Sequence, residues 1–453
     1  MRKKNQKQMP LMIKSIDHPH AEDLKSISQI LDQHPIINEM VLQDLTRNIV
    51  NRDIGAQGMS AEQVLRAAVI KQMEGFSYED LAFHLLDSVC YRSFCRIGFA
   101  DKGFRKSALC HNIKAISPKT WESINRILVE YGKKEKIEKG RESRTDCTVV
   151  ASDIHDPTDS SLLWDSVRVL TRKLNQINER FNDLSVPFSD HTKRAKRRWM
   201  GIINAKNEKA RKKPYLDLLK MTDKTVNYAI NAVELLESFP FTNIALADTA
   251  LIIAADLKEI IRLSKQVIDQ TIRRVIHGES VPASEKIVSI FEPHTDIIVK
   301  DRRETLYGHK ICLSGGKSNL ITDCLILDGN PADTDLTDQM LDRHKEIYGH
   351  YPLKVAFDGG FASKKNLASA KGKGIKDVCF AKKRGLDEEE MCRSFWVYKR
   401  LRRFRAGIES GISWLKRCLG LDRCTWKSLR SFYSYVWASI VSANLLTLAR
   451  NRG

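Results

Sequence analysis

The chain has no run of the roughly 18 to 20 apolar residues that a bilayer span requires. Its most apolar stretch, 436–448, is interrupted by Ser439, Ser442 and Asn444 and reads as a buried helix. The basic start, Met1-Arg-Lys-Lys-Asn-Gln-Lys7, is not followed by an apolar region, which predicts no export, no membrane association and a cytoplasmic protein. Ten cysteines are present without a single Cys-x-x-Cys pair, so in a reducing compartment they read as free, packed thiols. Cys90, Cys95, Cys110 and His111 match no standard zinc spacing. Acidic charge is also short. The 56 Asp and Glu face 75 Lys and Arg, a net charge of +19, and an excess of that size points to a polyanionic partner, nucleic acid first. With 453 residues, 42% of them hydrophobic, two or three packed domains are expected.

Helix signals dominate the first third. Ser60-Ala-Glu-Gln63 is a capping box and Gly75 a stop; Ser77-Tyr-Glu-Asp80 opens a second helix, so two helices meet across a short turn as in a helix-turn-helix. A third helix is expected after Ser107 and a fourth at Ser117-Pro118. Lys102, Arg105, Lys106, Lys114 and Lys119 on or beside the later helices favour DNA binding over a hairpin that only packs. The polar segment 131–144 reads as a linker, because it offers little to bury. The expected organisation is an extension at 1–54 that is partly helical, a helical DNA-binding domain at 55–131, a linker at 132–144 and a catalytic domain at 145–448.

A β-type run at 145–151 opens the last part. From about 160 to 289 the pattern turns helical, as an inserted subdomain, with Asp159 as the expected N-cap of its first helix. Lys193, Arg194, Lys196, Arg197 and Arg198 begin the densest basic stretch, in which ten Lys or Arg between 193 and 213 face the single acid Glu208. That density favours a surface tracking a phosphate backbone over a solvated helix. After Pro293, strands are expected at 296–300, 308–314 and 320–327. Then come a helix from Asn330-Pro-Ala-Asp333 to about Tyr348, a strand at 353–357, a helix from Ser363 and a strand at 375–380. Strand, helix, strand, helix, strand means parallel pairing by crossover helices. With the antiparallel strands before it, this is an α/β fold with a mixed, ribonuclease H-like sheet.

Three acids far apart in sequence stand out. Asp146 begins the first strand, and Asp358 follows a fully apolar strand in Phe357-Asp-Gly-Gly-Phe361, at the carboxyl edge where α/β sheets bind ligands. Glu409 lies in Arg405-Ala-Gly-Ile-Glu409, seven residues before Lys416. At 100° per residue, Phe404, Ile408, Ile412, Leu415 and Leu419 form one apolar stripe, and Arg405, Glu409 and Lys416 share a line about 100° away from it. Read blandly, Arg405 and Glu409 are an i, i+4 pair on a solvated helix. Against that stand Gly407 and Gly411, two interior glycines that cost roughly 1 kcal/mol each unless close approach is needed. Three converging carboxylates are the hard oxygen donors that Mg²⁺ accepts.

Together with Glu74-Gly-Phe-Ser-Tyr-Glu-Asp-Leu81, His155-Asp-Pro-Thr-Asp-Ser-Ser-Leu-Leu163, Tyr307-Gly-His-Lys310 and Gly329-Asn-Pro-Ala-Asp333, these motifs resemble bacterial insertion-sequence transposases of the DDE class, nearest the ISNCY-type group. The likeness runs from about 55 to 448. The family signature has a Tyr three residues before the Arg, where this chain has Arg402. The resemblance implies that Asp146, Asp358 and Glu409 hold two divalent ions, Mg²⁺ with Mn²⁺ able to substitute. It also implies that Arg405 and Lys416 meet DNA, that the substrates are the element's inverted repeats and target DNA, and that the active form is a dimer or higher. The competing expectations are a metal-dependent structure-specific nuclease on the same fold and a regulator that binds DNA without cutting it.

Overall fold

The computed structural model describes residues 3–4, 16–49, 58–98, 100–181, 183–300 and 304–451. Most of the basic start and the boundary expected at 54–55 lie outside the described residues. The chain divides into two compact units, 1–153 with 300–453, and 154–299.

Among the described residues of the first unit, seven helices precede the sheet: α1 (Pro19–Asp32), α2 (Ile36–Thr46), α3 (Ala61–Glu74), α4 (Tyr78–Asp87), α5 (Val89–Phe94), α6 (Lys106–Ala115) and α7 (Pro118–Lys134). Both expected capping boxes form, Ser60 with Gln63 and Ser77 with Asp80, and Gly75 ends α3 in the left-handed region at φ 66°. Ser117 caps α7 with Pro118 in its first turn. The pair α3 and α4 therefore turns where the sequence says, yet α3 is buried over almost its whole length.

The reason lies at the other end of the chain. Helix α16 (Leu429–Arg450), long and apolar enough to cross a bilayer by length and composition alone, is buried along nearly its whole length. It packs against α1, α3 and α7 and reaches the sheet. Two of its polar interruptions, Ser439 and Asn444, have partners inside the protein. Asn444 donates to Asn125 and to the Ile321 carbonyl, both at 2.7 Å, and accepts from the Ile321 N–H at 2.9 Å; Ser439 accepts from Gln72 at 2.8 Å. A buried amide with its bonds made is tolerated where an unpaired one is costly. One apolar cluster consequently joins Ile27, Leu65 and Trp121 to Ile321, Leu415 and Trp437. The described part of the expected helical domain, residues 58–131, thus shares a core with the sheet instead of forming a body of its own.

The expected linker is corrected as well. Helix α7 runs to Lys134, and strand β1 (Glu142–Ala151) starts before 144. Glu138 is buried, accepting from the N–H groups of Gly140 and Ser318 at 3.1 and 3.0 Å and from the Ser318 hydroxyl at 2.8 Å. Buried Arg144 donates to the Phe404 carbonyl at 2.9 Å. The polar side chains that suggested solvent are used up by loop and helix backbone.

The other strands are β2 (Asp296–Lys300), at the boundary of the two units, β3 (Glu304–Gly315), β4 (Ile321–Ile326), β5 (Lys354–Phe357) and β6 (Asp377–Phe380). Within the first unit the order is β4-β3-β1-β5-β6. Strand β3 runs antiparallel to β1 and β4, while β1, β5 and β6 are parallel.

The second unit holds α8 (Asp159–Arg180), α9 (Thr192–Ile203), α10 (Glu208–Ser238) and α11 (Ile244–Thr271) around residues such as Leu170, Leu174, Val226 and Leu257. Thr158, not Asp159, caps α8. The Thr158 side chain takes the Ser161 N–H at 3.1 Å, leaving Asp159 inside the helix to pair with Arg274 at 2.9 Å. The first unit continues with α12 (Thr337–Tyr348), α13 (Lys364–Gly372), α14 (Glu388–Met391) and α15 (Phe395–Cys418) before α16.

Candidate active site

Pairing between β1 and β5 ends at Thr145 opposite Phe357. The next residue on each strand is an acid, Asp146 and Asp358, so parallel register alone sets the two side by side. Asp358 leaves the sheet and caps the tight turn 359–361, its carboxylate accepting from the Gly360 N–H at 3.4 Å. Neither glycine of this turn has a left-handed φ. What they provide is room. A Cβ on Gly359 would come within 2.7 Å of the Lys382 side chain, and one on Gly360 would overlap the Asp333 carboxylate.

Helix α15 packs on β1, β5 and β6 and delivers the third acid. Ile408, Ile412 and Leu415 are buried along the expected stripe, with Leu419 just beyond the helix end. Phe404 is half-buried beneath the Arg144 guanidinium, 4.8 Å from its ring centre. A Cβ on Gly407 would overlap that same guanidinium, whereas one on Gly411 meets only Ile321 at an ordinary 3.9 Å. Close approach therefore explains one of the two helix glycines. Arg144 itself escaped the sequence reading, although a glycine in a helix interior was the signal for such a neighbour.

The acids converge on one side chain. Nη1 of Arg405 lies 3.1 Å from Asp358 Oδ1 and 3.5 Å from Asp146 Oδ2, and its Nη2 lies 2.7 Å from Glu409 Oε1. Two oxygens that share one nitrogen at these distances stand within ~7 Å of each other, a span suited to metal ions ~4 Å apart. Arg405 is 13% exposed and Glu409 54%, so the site is a shallow edge with one covered cation. The Asp146 carboxyl is pushed up to about 6, first by burial and then by the negative charge of Asp358; the Cys147 N–H and Arg405 pull the other way. Burial opposes the charge on Arg405, but Glu409, Asp358 and Asp146 outweigh it and raise its pKa.

Arg405 was expected to meet phosphate, and here its donors are turned onto the acids. Three carboxylates at one strand edge need a counter-charge, and this guanidinium is the cation in contact with all three. Lys416 does not join them. It pairs with Asp422 at 3.6 Å, because the chain after α15 returns past its side chain. Among the described residues, no three His, Cys, Asp or Glu side chains are grouped tightly enough to hold a metal ion as they stand. The donor set nevertheless fits one. The carboxylates are hard oxygen ligands, and burial, followed by the charge of Asp358, holds Asp146 above the ordinary carboxylate range.

The remaining basic candidates lie elsewhere. Lys102, Arg105 and Lys119 are exposed, Lys106 pairs with Glu79 at 2.9 Å, and Lys114 lies over the rings of Tyr78 and Trp426. On α9 in the second unit, Lys193, Lys196 and Arg197 are exposed, while Arg194 and Arg198 both hold Asp217. All ten cysteines are free.

A family model described as a transposase DDE domain matches residues 299–445, and one described as a transposase domain (DUF772) matches residues 13–115. The chain belongs to the insertion-sequence transposases of the DDE class. The match to the DDE domain contains Asp358, Arg405, Glu409 and Lys416; Asp146 lies outside both matched segments and joins the site through the register of β1. No curated protein and no solved structure gives a significant match to this transposase.

Proposed function

We propose that this transposase binds the ends of its own element and cuts and joins DNA at Asp146, Asp358 and Glu409, which would hold two divalent ions, Mg²⁺ or Mn²⁺. The observation that carries this reading is the contact of one guanidinium with all three acids. The order β4-β3-β1-β5-β6, with its antiparallel and parallel halves, supports a ribonuclease H-like assignment. The ISNCY-type assignment rests on the motifs alone.

When bound, two divalent ions would polarise the phosphate and lower the pKa of the attacking water or 3′ hydroxyl. The protein's own part is to present three ionised carboxylates, which requires Asp146 to lose the proton that burial encourages it to keep. With the acids balanced by another cation, Arg405 is released to fork onto a phosphate beside the cut, and Lys416 offers a point charge further along the helix. Water attack frees the 3′ end of the element, and that hydroxyl then attacks target DNA.

End recognition is assigned to the first helical region, residues 55–131. The outward face of α4 carries Glu79, Asp80, Phe83 and Leu86, with Phe83 59% and Leu86 55% exposed, and acids there repel phosphate. The exposed cations Lys102, Arg105 and Lys119 make the start of α6 and of α7 the better DNA surface. Lys193, Lys196 and Arg197 would add backbone contacts to flanking or target DNA. A dimer or higher form would hold two ends together in the cytoplasm.

The test is a strand-transfer assay with Mg²⁺ and duplexes carrying the inverted repeats that flank the gene. Joined products support the reading; metal-dependent nicking without joining supports the structure-specific nuclease; binding without metal-dependent cleavage supports a regulator.

A further inference from the structure

Three motifs singled out in the sequence meet at one point next to Asp358. Lys310, buried on β3 opposite Val149 of β1, reaches the Asp333 carboxylate at 2.7 Å and donates to the Pro331 carbonyl at 2.7 Å. The contact with Asp333 is an ion pair without hydrogen-bond alignment. The other face of the Asp333 carboxylate fills the space where Gly360 would carry a Cβ. Asn366 completes the joint, donating to the carbonyls of Thr334 at 2.7 Å and Phe361 at 2.9 Å and to the Thr337 hydroxyl at 2.8 Å. The short helical turns 333–336 and 359–361 are thus pinned together, and the second begins at Asp358.

We propose that Asp333, held in place by Lys310, is a positioning residue that fixes the 358–361 turn and so aims the Asp358 carboxylate at the shared site. The proposal rests on the transposase reading of the three acids and adds two residues to it. Asp333 is not itself a ligand, since its carboxylate is taken by Lys310. Its role is that of an outer partner, and loss of such a partner commonly costs roughly ten- to a hundredfold in metal affinity or activity. The pair also explains why a loop aspartate and a strand lysine face one another so near the edge of the sheet: Lys310 ties the β3 side of the sheet to the turn that follows β5.

The experiment compares the full-length wild type with Lys310→Met, Lys310→Arg, Asp333→Ala, Gly360→Ala and the Asp333→Ala/Gly360→Ala pair. Three quantities are read: Mn²⁺ affinity by electron paramagnetic resonance, thermal midpoint in EDTA, and Mg²⁺-dependent cleavage. Lys310→Met, Asp333→Ala and Gly360→Ala should each weaken Mn²⁺ binding at least roughly tenfold, with Lys310→Arg close to wild type. Gly360→Ala should add nothing in the Asp333→Ala background, because the colliding carboxylate is gone. Lowered midpoints with unchanged Mn²⁺ affinity would overturn the proposal and leave the pair a packing feature. Additive losses in the double variant would overturn it too. A wild type that binds no Mn²⁺ and cuts no DNA would instead refute the reading of the acids, while the dependence of Gly360→Ala on Asp333, still readable in EDTA, would decide whether the turn is held as described.

Discussion

Replacing Arg405 with Gln isolates the electrostatics of the site. The guanidinium is 13% exposed and meets acids of very different exposure, Asp146 at 16%, Asp358 at 38% and Glu409 at 54%. The contacts to Asp358 and Glu409 are screened by water and are each worth ~0.5 kcal/mol. The one to Asp146 is better covered, worth ~1–2 kcal/mol. A loss of ~2–3 kcal/mol is expected for the metal-free protein near pH 8, a fall of ~4–6 °C in thermal midpoint for a unit of this size.

The pH dependence gives the prediction its edge. Burial, and after it the charge of Asp358, pushes the Asp146 carboxyl up to about 6, well above an ordinary aspartate at about 4. A raised carboxyl binds protons more tightly in the folded state, so its stabilising effect is fully present below about pH 4 and is lost as pH rises through about 6. Keeping this carboxyl ionised above that range costs ~3 kcal/mol. In Arg405→Gln that cost grows at pH 8, while at pH 5 a protonated Asp146 no longer needs the guanidinium, and the difference from wild type should shrink to less than half. Mg²⁺ should recover the pH 8 loss. Calorimetry or circular dichroism at both pH values, with EDTA or Mg²⁺, reads all of this. An equal loss at pH 5 and pH 8, or none at pH 8, would refute the idea that Arg405 balances the acids.

Asp358→Asn should abolish cleavage yet keep binding of element ends by gel shift, since it removes one carboxylate charge at the sheet edge and leaves the helical region intact; parallel loss of binding would break that division. Neutralising Lys193, Lys196 and Arg197 should weaken binding to specific and scrambled duplexes alike and flatten the salt dependence by roughly 0.9 in log-log slope per lost contact. Arg194 and Arg198, occupied by Asp217, should contribute less, and an unchanged slope would return α9 to a solvated helix. Gly407→Ala should displace Arg144 and cost ~1–3 kcal/mol by overpacking, whereas Gly411→Ala should be neutral or stabilising; equal effects would contradict the packing at the two glycines.

What the sequence made legible was local. Caps at Ser60, Ser77 and Ser117, the stop at Gly75 and the apolar stripe on α15 depend on neighbours a few residues away, and all form as read. The placement of Asp358 was legible, because a buried strand ending in an acid names its own edge; Asp146 was expected at a strand start and lies inside β1, which begins at Glu142. Residues 131–144 misled for the opposite reason. Polarity there implied solvent, but Glu138 and Arg144 spend their hydrogen bonds on backbone from Ser318 and Phe404, partners far away in sequence.

The same physics separates the readings of Arg405. From spacing alone, an Arg one turn before a Glu is either a surface ion pair or a phosphate fork, and both describe one neighbour at a time. The fold adds two acids from two different strands to the same guanidinium, and three negative charges on a partly covered cation cannot be a mere surface pair. Nor can the fork be ready for phosphate while its nitrogens face carboxylates. The arrangement is instead a held state. The acids are held around one cation, which on the proposed reading gives way when they take up metal ions, and the partly exposed Glu409, the Asp146 carboxyl near 6 and the turn pinned by Asp333 are the three places where that state yields or resists.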